Sequence, residues 1–402
     1  MTDATFARGP LSDLRVIEMG TLLAGPFCGQ LLGDMGAEVI KVEPPNQGDP
    51  LRVWGRQKQG EPSLWWPVVG RNKKAITLDL RQAEGQEVLR ELVAKADFLL
   101  ENFRPGTLEK WGLGWEDLKK INPRLIMIRV SGFGQTGPYS RQAGFGAIGE
   151  AMGGLRYVVG DPSTPPSRMG ISIGDSLAAT FASVGALSAL HYREKTGQGQ
   201  VVDSAIYEAV LNMMESLVTE YDKTGYIRER TGSILPNVAP SNVYPTKDGS
   251  VLIAANQDTV FGRLCESMGQ PELAKDPRYV NHQARGANQK ELDALVGAWT
   301  STLTTRAALD AMDKFGVPAG QIYRAPEMLE DPHFAARNAI ITTDHPHFGK
   351  LRMQNVAPKL SETPGGVHSP APELGQHNDE VYRGLLGMSE DRYQQLQQRK
   401  VI

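Results

Sequence analysis

Residues 14–43 read LRVIEMGTLLAGPFCGQLLGDMGAEVIKVE, and this stretch decides the fold class. LRVIEM (14–19) is an apolar run of strand length. Gly25-Pro26 opens a helix that carries Leu31 and Leu32 and stops at Gly36, with Pro placed where a first-turn N–H is dispensable. AEVIKVE (37–43) is the next strand. A strand, a helix and a strand in that order make a βαβ unit, and the pattern repeats. Strand 75–80 leads to helix 83–95 and strand 97–101; helix 114–121 leads to strand 125–130. Strands alternating with helices predict a parallel sheet covered on both faces.

A second informative stretch is Gly174-Asp175-Ser176-Leu177-Ala178-Ala179, which follows a Gly/Pro-rich approach and opens a long helix of small apolar residues. That helix is expected to run to Lys195 and end at Gly197. A helix start presents unpartnered N–H groups and the positive end of the backbone dipole, so Asp175 stays ionised there. Taken alone, the segment reads as an ordinary Asp N-cap. From about residue 225 the texture changes. Tyr244–Ala255 reads as a hairpin around Lys247-Asp248-Gly249. Helices near 259–268 and 289–301 and a strand near 317–323 follow, which predicts a small α+β domain over 225–325. Pro-rich 326–372 then connects back, and 373–402 reads as a polar, helical covering element.

The balance of Lys+Arg 43 against Asp+Glu 46 leaves a net charge of −3, so no global field draws the chain to nucleic acid or an anionic membrane. Any anionic ligand needs a local site. Apolar content of 40% and charged content of 22% fit an ordinary soluble globular protein. Cys28 and Cys265, the only cysteines, cannot build a disulfide framework and fit a reducing cytoplasm. Met1 is followed by a polar stretch with no apolar h-region, so no secretory leader is expected. Leu177–Leu190, broken by Thr180, Ser183, Gly185 and Ser188, is too short to span a bilayer.

Three motifs point elsewhere and fail on context. Gly132-Phe133-Gly134-Gln135-Thr136-Gly137 fits the dinucleotide pattern but runs into Gly137-Pro138 and not into a helix. Gly170-Ile171-Ser172-Ile173-Gly174 fits the serine-hydrolase elbow, yet its approach holds two prolines where a strand is needed. A hydrolase or thioesterase using Ser172 stands as the alternative enzyme. His345-Pro346-His347 lacks the Cys or paired acids of a metal site, so no metal is expected. Trp65-Trp66 beside Pro67 reads as packing.

Together, LAGPFCGQLLGDMGAEVIKVE (23–43), RNKKAITLDL (71–80), ENFRPG (101–106), NPRLIMIRVSGFGQTGPY (122–139), GDS (174–176), REKTGQGQVVDSAIYEAVLN (193–212) and LGQH (374–377) resemble the class III CoA-transferases. That is the CaiB/BaiF-type family of formyl-CoA transferase and carnitine CoA-transferase, and the resemblance covers nearly the whole chain. It implies a Rossmann-like large domain with a parallel sheet over 1–205, the small α+β domain over 225–325, and a linker and C-terminal segment over 326–402 that returns to the large domain. It also implies an interlocked homodimer, with loop-rich 200–240 and 325–372 supplying crossing linkers.

The activity implied is CoA transfer from an acyl-CoA, with succinyl-CoA the expected donor, to a small carboxylic acid. The match makes Asp175 the nucleophile. It carries CoA contacts to Leu23, Ala24, Leu78, Arg81, Asn102, Phe103, Arg104, Lys110, Ala143, Gly144 and Phe145. CoA is substrate, no cofactor is permanently bound, and the setting implied is cytoplasmic, without nucleic acid or membrane. The chain departs from the formyl-CoA branch at Leu23, where that branch has Gln, at Pro44, where it has Arg, and at Gly146, where it has an acid. Its 231–242 stretch also lacks the glycine run of that branch. The texture is closer to succinyl-CoA–glutarate members, so a dicarboxylate acceptor is expected, held by one of Arg52, Arg56, Arg71, Arg168 or Arg230. A non-catalytic acyl-CoA-binding member is the other alternative; the intact Asp175 argues against it.

Overall fold

The strands of the first unit are apolar on both sides because both faces of their sheet are covered. The computed structural model describes residues 8–56 and 61–402, which form two compact units. One comprises the chain through Arg156, Met169–Gly225 and Ala336–Ile402; the other comprises Tyr157–Arg168 and Tyr226–Ala335.

In the first unit, β1 (Arg15–Glu18), β2 (Glu38–Glu43), β3 (Lys73–Thr77), β4 (Phe98–Glu101), β5 (Ile126–Ser131) and β6 (Val201–Ala205) form one sheet in the order β3-β2-β1-β4-β5-β6. Every neighbouring pair is parallel, with Ile17 opposite both Ile40 and Leu99. The α/β class with a parallel sheet is as the sequence predicts. Successive residues serve opposite faces. Ile17, Ile40, Ile76, Leu99 and Met127 pack under helix Ala83–Val93 through Val88, Leu89 and Leu92. Val16, Val39, Phe98, Ile126 and Ile128 pack against Cys28 and Leu32 of helix Ala24–Asp34 and against Ala178, Ala182 and Ala186.

Those alanines belong to helix Ile173–Thr196, which ends at Gly197 in the left-handed region, φ 76°. This helix is longer than the apolar run 177–190 suggests. It is the one helix among the described residues long and apolar enough to cross a membrane by length and composition. Its alanines lie in the core beside β5, as in a core helix.

Two segments differ from their sequence reading. β3 begins at Lys73, ahead of the expected 75–80, because the Lys73 ammonium is buried 2.7 Å from Glu18. The C-terminal segment is no mere cover. Val381, Tyr382, Met388, Tyr393, Leu396, Val401 and Ile402 are buried in the core. Tyr382 donates its hydroxyl to Thr77 O at 2.6 Å and Asp79 N donates to Val401 O at 2.7 Å. Its apolar residues lie on one side, and its many polar residues hide that in a compositional reading.

The second unit is α+β. β7 (Ser241–Thr246) and β8 (Gly249–Ala254) form the expected hairpin, and β9 (Ala319–Gln321) adds antiparallel to β8. Helices Asp258–Ser267, Gln289–Thr300 and Thr305–Phe315 accompany that sheet, and its core includes Tyr244, Val251, Phe261, Leu264, Val296 and Met312. Back in the first unit, β10 (Ile340–His345) and β11 (Gly349–Gln354) form a hairpin, with His345-Pro346-His347 at its turn. In 200–225, read as loop-rich, the chain instead forms β6 and helices Ile206–Asn212 and Leu217–Thr224.

Candidate active site

Strand order reverses between β1 and β4, so the crevice above their C-terminal ends is where an open parallel sheet takes a ligand. Two connections meet there. After β1, the loop Gly20–Leu23 leads into helix Ala24–Asp34. After β4 comes ENFRPG. Asn102 joins them: its Oδ1 accepts from Thr21 N at 2.8 Å and its Nδ2 donates to Thr21 O at 2.9 Å. Both ends of that amide are occupied by the loop. Phe103 stacks edge-on against Trp111, with centroids 5.8 Å apart. Its N–H donates to the buried Glu101 carboxylate at 2.7 Å. Arg129 bridges Glu101 at 2.7 Å and Glu109 at 2.6 Å. That ion pair network fixes the segment from 101 to 110. Arg104 and Lys110 stand exposed on it.

The other expected contacts divide. The Leu78 side chain is buried in the core and its N–H donates to Glu43 O at 2.8 Å. Arg81 is exposed and pairs with Asp79 at 2.8 Å. Ala143, Gly144 and Phe145 lie in the connection after β5, where Gly144 rests on the Phe133 ring and Phe145 is exposed. That connection leads into helix Gly146–Met152, which brings it to Asp175.

Asp175 sits in the first turn of helix Ile173–Thr196, half-buried. Its carboxylate lies over Gly146: a Cβ at Gly146 would stand 2.2 Å from Asp175 Oδ2 and 2.8 Å from its Cγ. This explains the departure at 146. The volume an acidic side chain would need is taken by Asp175 itself. The same helix start is close-packed elsewhere, since a Cβ at Gly174 would lie 3.0 Å from Gly146 O. One turn beyond Gly146, Glu150 is buried, with its Oε1 3.5 Å from Gly174 N and its Oε2 2.8 Å from Arg156. Sequence reading missed Glu150. The available signal was glycine at 146, 149 and 153, a spacing that marks one close-packed helix face.

Context removes the competing motifs. The turns before Ser172 contain no strand, and the helix begins at Ile173, so the strand-to-helix elbow is absent. The GFGQTG loop is tied to β5 and β6: Gly134 N donates to Ser131 Oγ at 3.0 Å and Gln135 N to Asp203 at 2.9 Å. Of the candidate arginines, two are committed to structure. Arg52 holds Glu43 with both Nε and Nη2 at 2.7 Å and lies 3.8 Å over the Trp66 ring. Arg71 is buried and bidentate to Asp34 at 3.0 and 2.6 Å.

Comparison with known proteins fits this geometry. The model of CoA-transferase family III matches residues 11–378. The chain belongs to CoA-transferase family III. A succinyl-CoA–D-citramalate CoA-transferase of Chloroflexus aurantiacus is 63% identical over 98% of both chains. The beta subunit of a succinyl-CoA–L-malate CoA-transferase from the same bacterium is 42% identical over 100% of both. Among solved structures, a CaiB/BaiF family protein from Brucella suis superposes with a TM-score of 0.83 at 36% identity, covering 94% of this chain and 100% of that one. As a member of the CoA-transferases, the enzyme takes CoA thioesters and carboxylic acids as substrates.

Proposed function

We propose that this CoA-transferase moves CoA from succinyl-CoA to a small dicarboxylate through a covalent intermediate on Asp175. The carrying observation is the Asp175 carboxylate, held at a helix start against Gly146. The carboxylate attacks the succinyl-CoA carbonyl and expels CoA thiolate, leaving a mixed anhydride. Thiolate then attacks the aspartyl carbonyl, releasing succinate and forming an aspartyl-CoA thioester. The acceptor carboxylate attacks that thioester, again expelling thiolate, which takes the acceptor acyl group and frees Asp175. Each step exchanges one carboxylate for one thiolate, so no external acid or base is consumed. Covalent catalysis of this kind divides one hard exchange into easier ones. It demands that water be excluded, because the anhydride hydrolyses.

Leu23, Ala24, Phe103, Arg104 and Lys110 fall around the switch point, and Ala143–Phe145 falls beside Asp175; in our reading these line the CoA site. Leu78, which is buried, and Arg81 and Asn102, which are paired, act through backbone or positioning. The relatives named above act on malate and citramalate, both 2-hydroxy dicarboxylates, and citramalate is the acceptor we favour. We also read the enzyme as a cytoplasmic homodimer. Ile148, Met152, Val184, Leu187, Leu211 and Met213 are exposed on the first unit, apolar side chains that a second copy would cover. The test is a matrix of acceptors at fixed succinyl-CoA, read by mass spectrometry. Citramalate or malate should give the highest kcat/KM. A preference for oxalate, carnitine or butyrate would overturn the assignment.

A further inference from the structure

Three consecutive residues of the β1 loop have their backbone groups taken by side chains from different parts of the sheet rim. Lys41, from β2, holds Gly20 O. Asn102, after β4, takes both the N–H and the C=O of Thr21. Asp49, from the connection between β2 and β3, accepts from Leu22 N at 3.0 Å. The arrangement is itself anchored. Asp49 is buried, pairs with Lys41 at 2.7 Å and also accepts from Leu51 N, while its own N–H donates to Glu43 at 2.8 Å. Lys41 is buried between Asp49 and Glu18. Within this clamp Leu22 lies at φ 63°, a left-handed conformation that disfavours a bulky side chain. Gly25 closes the assembly, since a Cβ there would stand 3.3 Å from Asn102 Cγ and 3.1 Å from Gly20 Cα.

Glycine at position 22 would satisfy the same hydrogen bonds without strain. Strain kept by surrounding structure at a ligand crevice is a mark of pre-organisation. We propose that Asp49 and Asn102 are positioning residues that hold Gly20–Leu23, strained at Leu22, in the shape that receives acyl-CoA. The inference rests on the reading that Leu23 and Ala24 face CoA. Asn102 then serves CoA binding without touching it, and Lys41 sets Asp49.

The decisive comparison is Leu22→Ala with Leu22→Gly in the full chain, measured by melting temperature and by succinyl-CoA KM. Both remove the side chain, and only glycine removes the strain. Glycine should melt higher than alanine yet show a succinyl-CoA KM about fivefold higher, with the acceptor KM unchanged. A loop that serves stability alone would raise the melting temperature of the glycine variant and leave its succinyl-CoA KM equal to that of the alanine variant, and that result overturns the proposal. Asn102→Ala should raise succinyl-CoA KM about tenfold with kcat within about threefold. Asn102→Ala and Leu22→Gly both leaving that KM unchanged would also overturn it. Asp175→Asn and CoA calorimetry on the parent enzyme run alongside. Turnover by Asp175→Asn, or absence of CoA binding by the parent, would refute the functional reading itself, separately from the loop.

Discussion

At the switch point the loop Gly20–Leu23 is held by side chains that fill space and carry charge; at the start of helix Ile173–Thr196, Asp175 is held where side chains are missing. The first region spends Lys41, Asp49 and Asn102 on backbone groups. The second brings Gly146 and Gly174 into contact, so the Asp175 carboxylate rests on a Cα. One region is sensitive to charge and hydrogen-bonding pattern, the other to volume. A binding surface for a large substrate profits from a rigid polar frame. A carboxylate that forms a covalent intermediate, as we propose for Asp175, needs room at the reacting oxygen.

The largest expected effect comes from removing the reacting group. Asp175→Ala should lower kcat at least about a thousandfold while CoA affinity stays within about threefold, because the group acts only in the chemical steps. Initial-rate assays and CoA calorimetry check this together. Gly146→Ala is next. A methyl 2.2 Å from the carboxylate must displace it, and about a hundredfold loss of kcat is expected with acyl-CoA KM nearly unchanged. Tolerance of alanine there would erase the contrast between the two regions.

Asp49→Asn tests the polar region by stability. Breaking a buried pair leaves Lys41 under-compensated, and a loss of about 3 kcal/mol in denaturant unfolding is expected. Burial opposes the charge of Asp49. Lys41 and the N–H groups of Leu51 and Leu22 outweigh that, holding its carboxyl below the usual range. With the native value depressed, the contribution is present above the unfolded value near pH 4 and fades as pH falls through the native one. The stability gap between parent and Asp49→Asn should therefore be constant from pH 5 to 8, in round terms, and narrow below about pH 4. A gap that widens on acidification would contradict the pairing.

Glu150→Ala lies between the regions in kind, a charge inside the close-packed junction. It strips the partner from half-buried Arg156, and a loss of about 1–2 kcal/mol is expected, with Glu150→Gln losing less. The smallest effect is a silence. Burial pushes the Cys28 thiol up to about 12 and the Cys265 thiol up to about 11, so neither should react with a thiol reagent at pH 8 until the chain is denatured. Rapid labelling of Cys28 would show that the core beneath helix Ala24–Asp34 opens.

The parallel sheet was legible because strands buried on both faces read as continuous apolar runs, as in FLL (98–100) and LIMI (125–128). Asp175 was legible through the change from Gly/Pro-rich chain to a small-residue helix, and Gly197 through its left-handed stop. What was hidden depends on distant partners. Lys73 reads as polar loop until Glu18 is placed beside it. Asp49, within NQGDP, has the look of a turn residue, and nothing local signals that it holds Leu22. Nothing local marks Glu150, which is buried beside Gly174 N and Arg156. The family pattern led to Asn102, but only the structure shows its amide turned to Thr21 and not outward.

The central claim, as proposed above, is that CoA is handed on through a covalent intermediate on Asp175. The direct measurement is to mix the enzyme with succinyl-CoA without acceptor, quench, treat with hydroxylamine and map the peptides by mass spectrometry. The account predicts conversion of Asp175 to its hydroxamate, dependent on succinyl-CoA and absent when free CoA replaces it. Full turnover with no adduct at Asp175, or a hydroxamate on another residue such as Glu150, would contradict it.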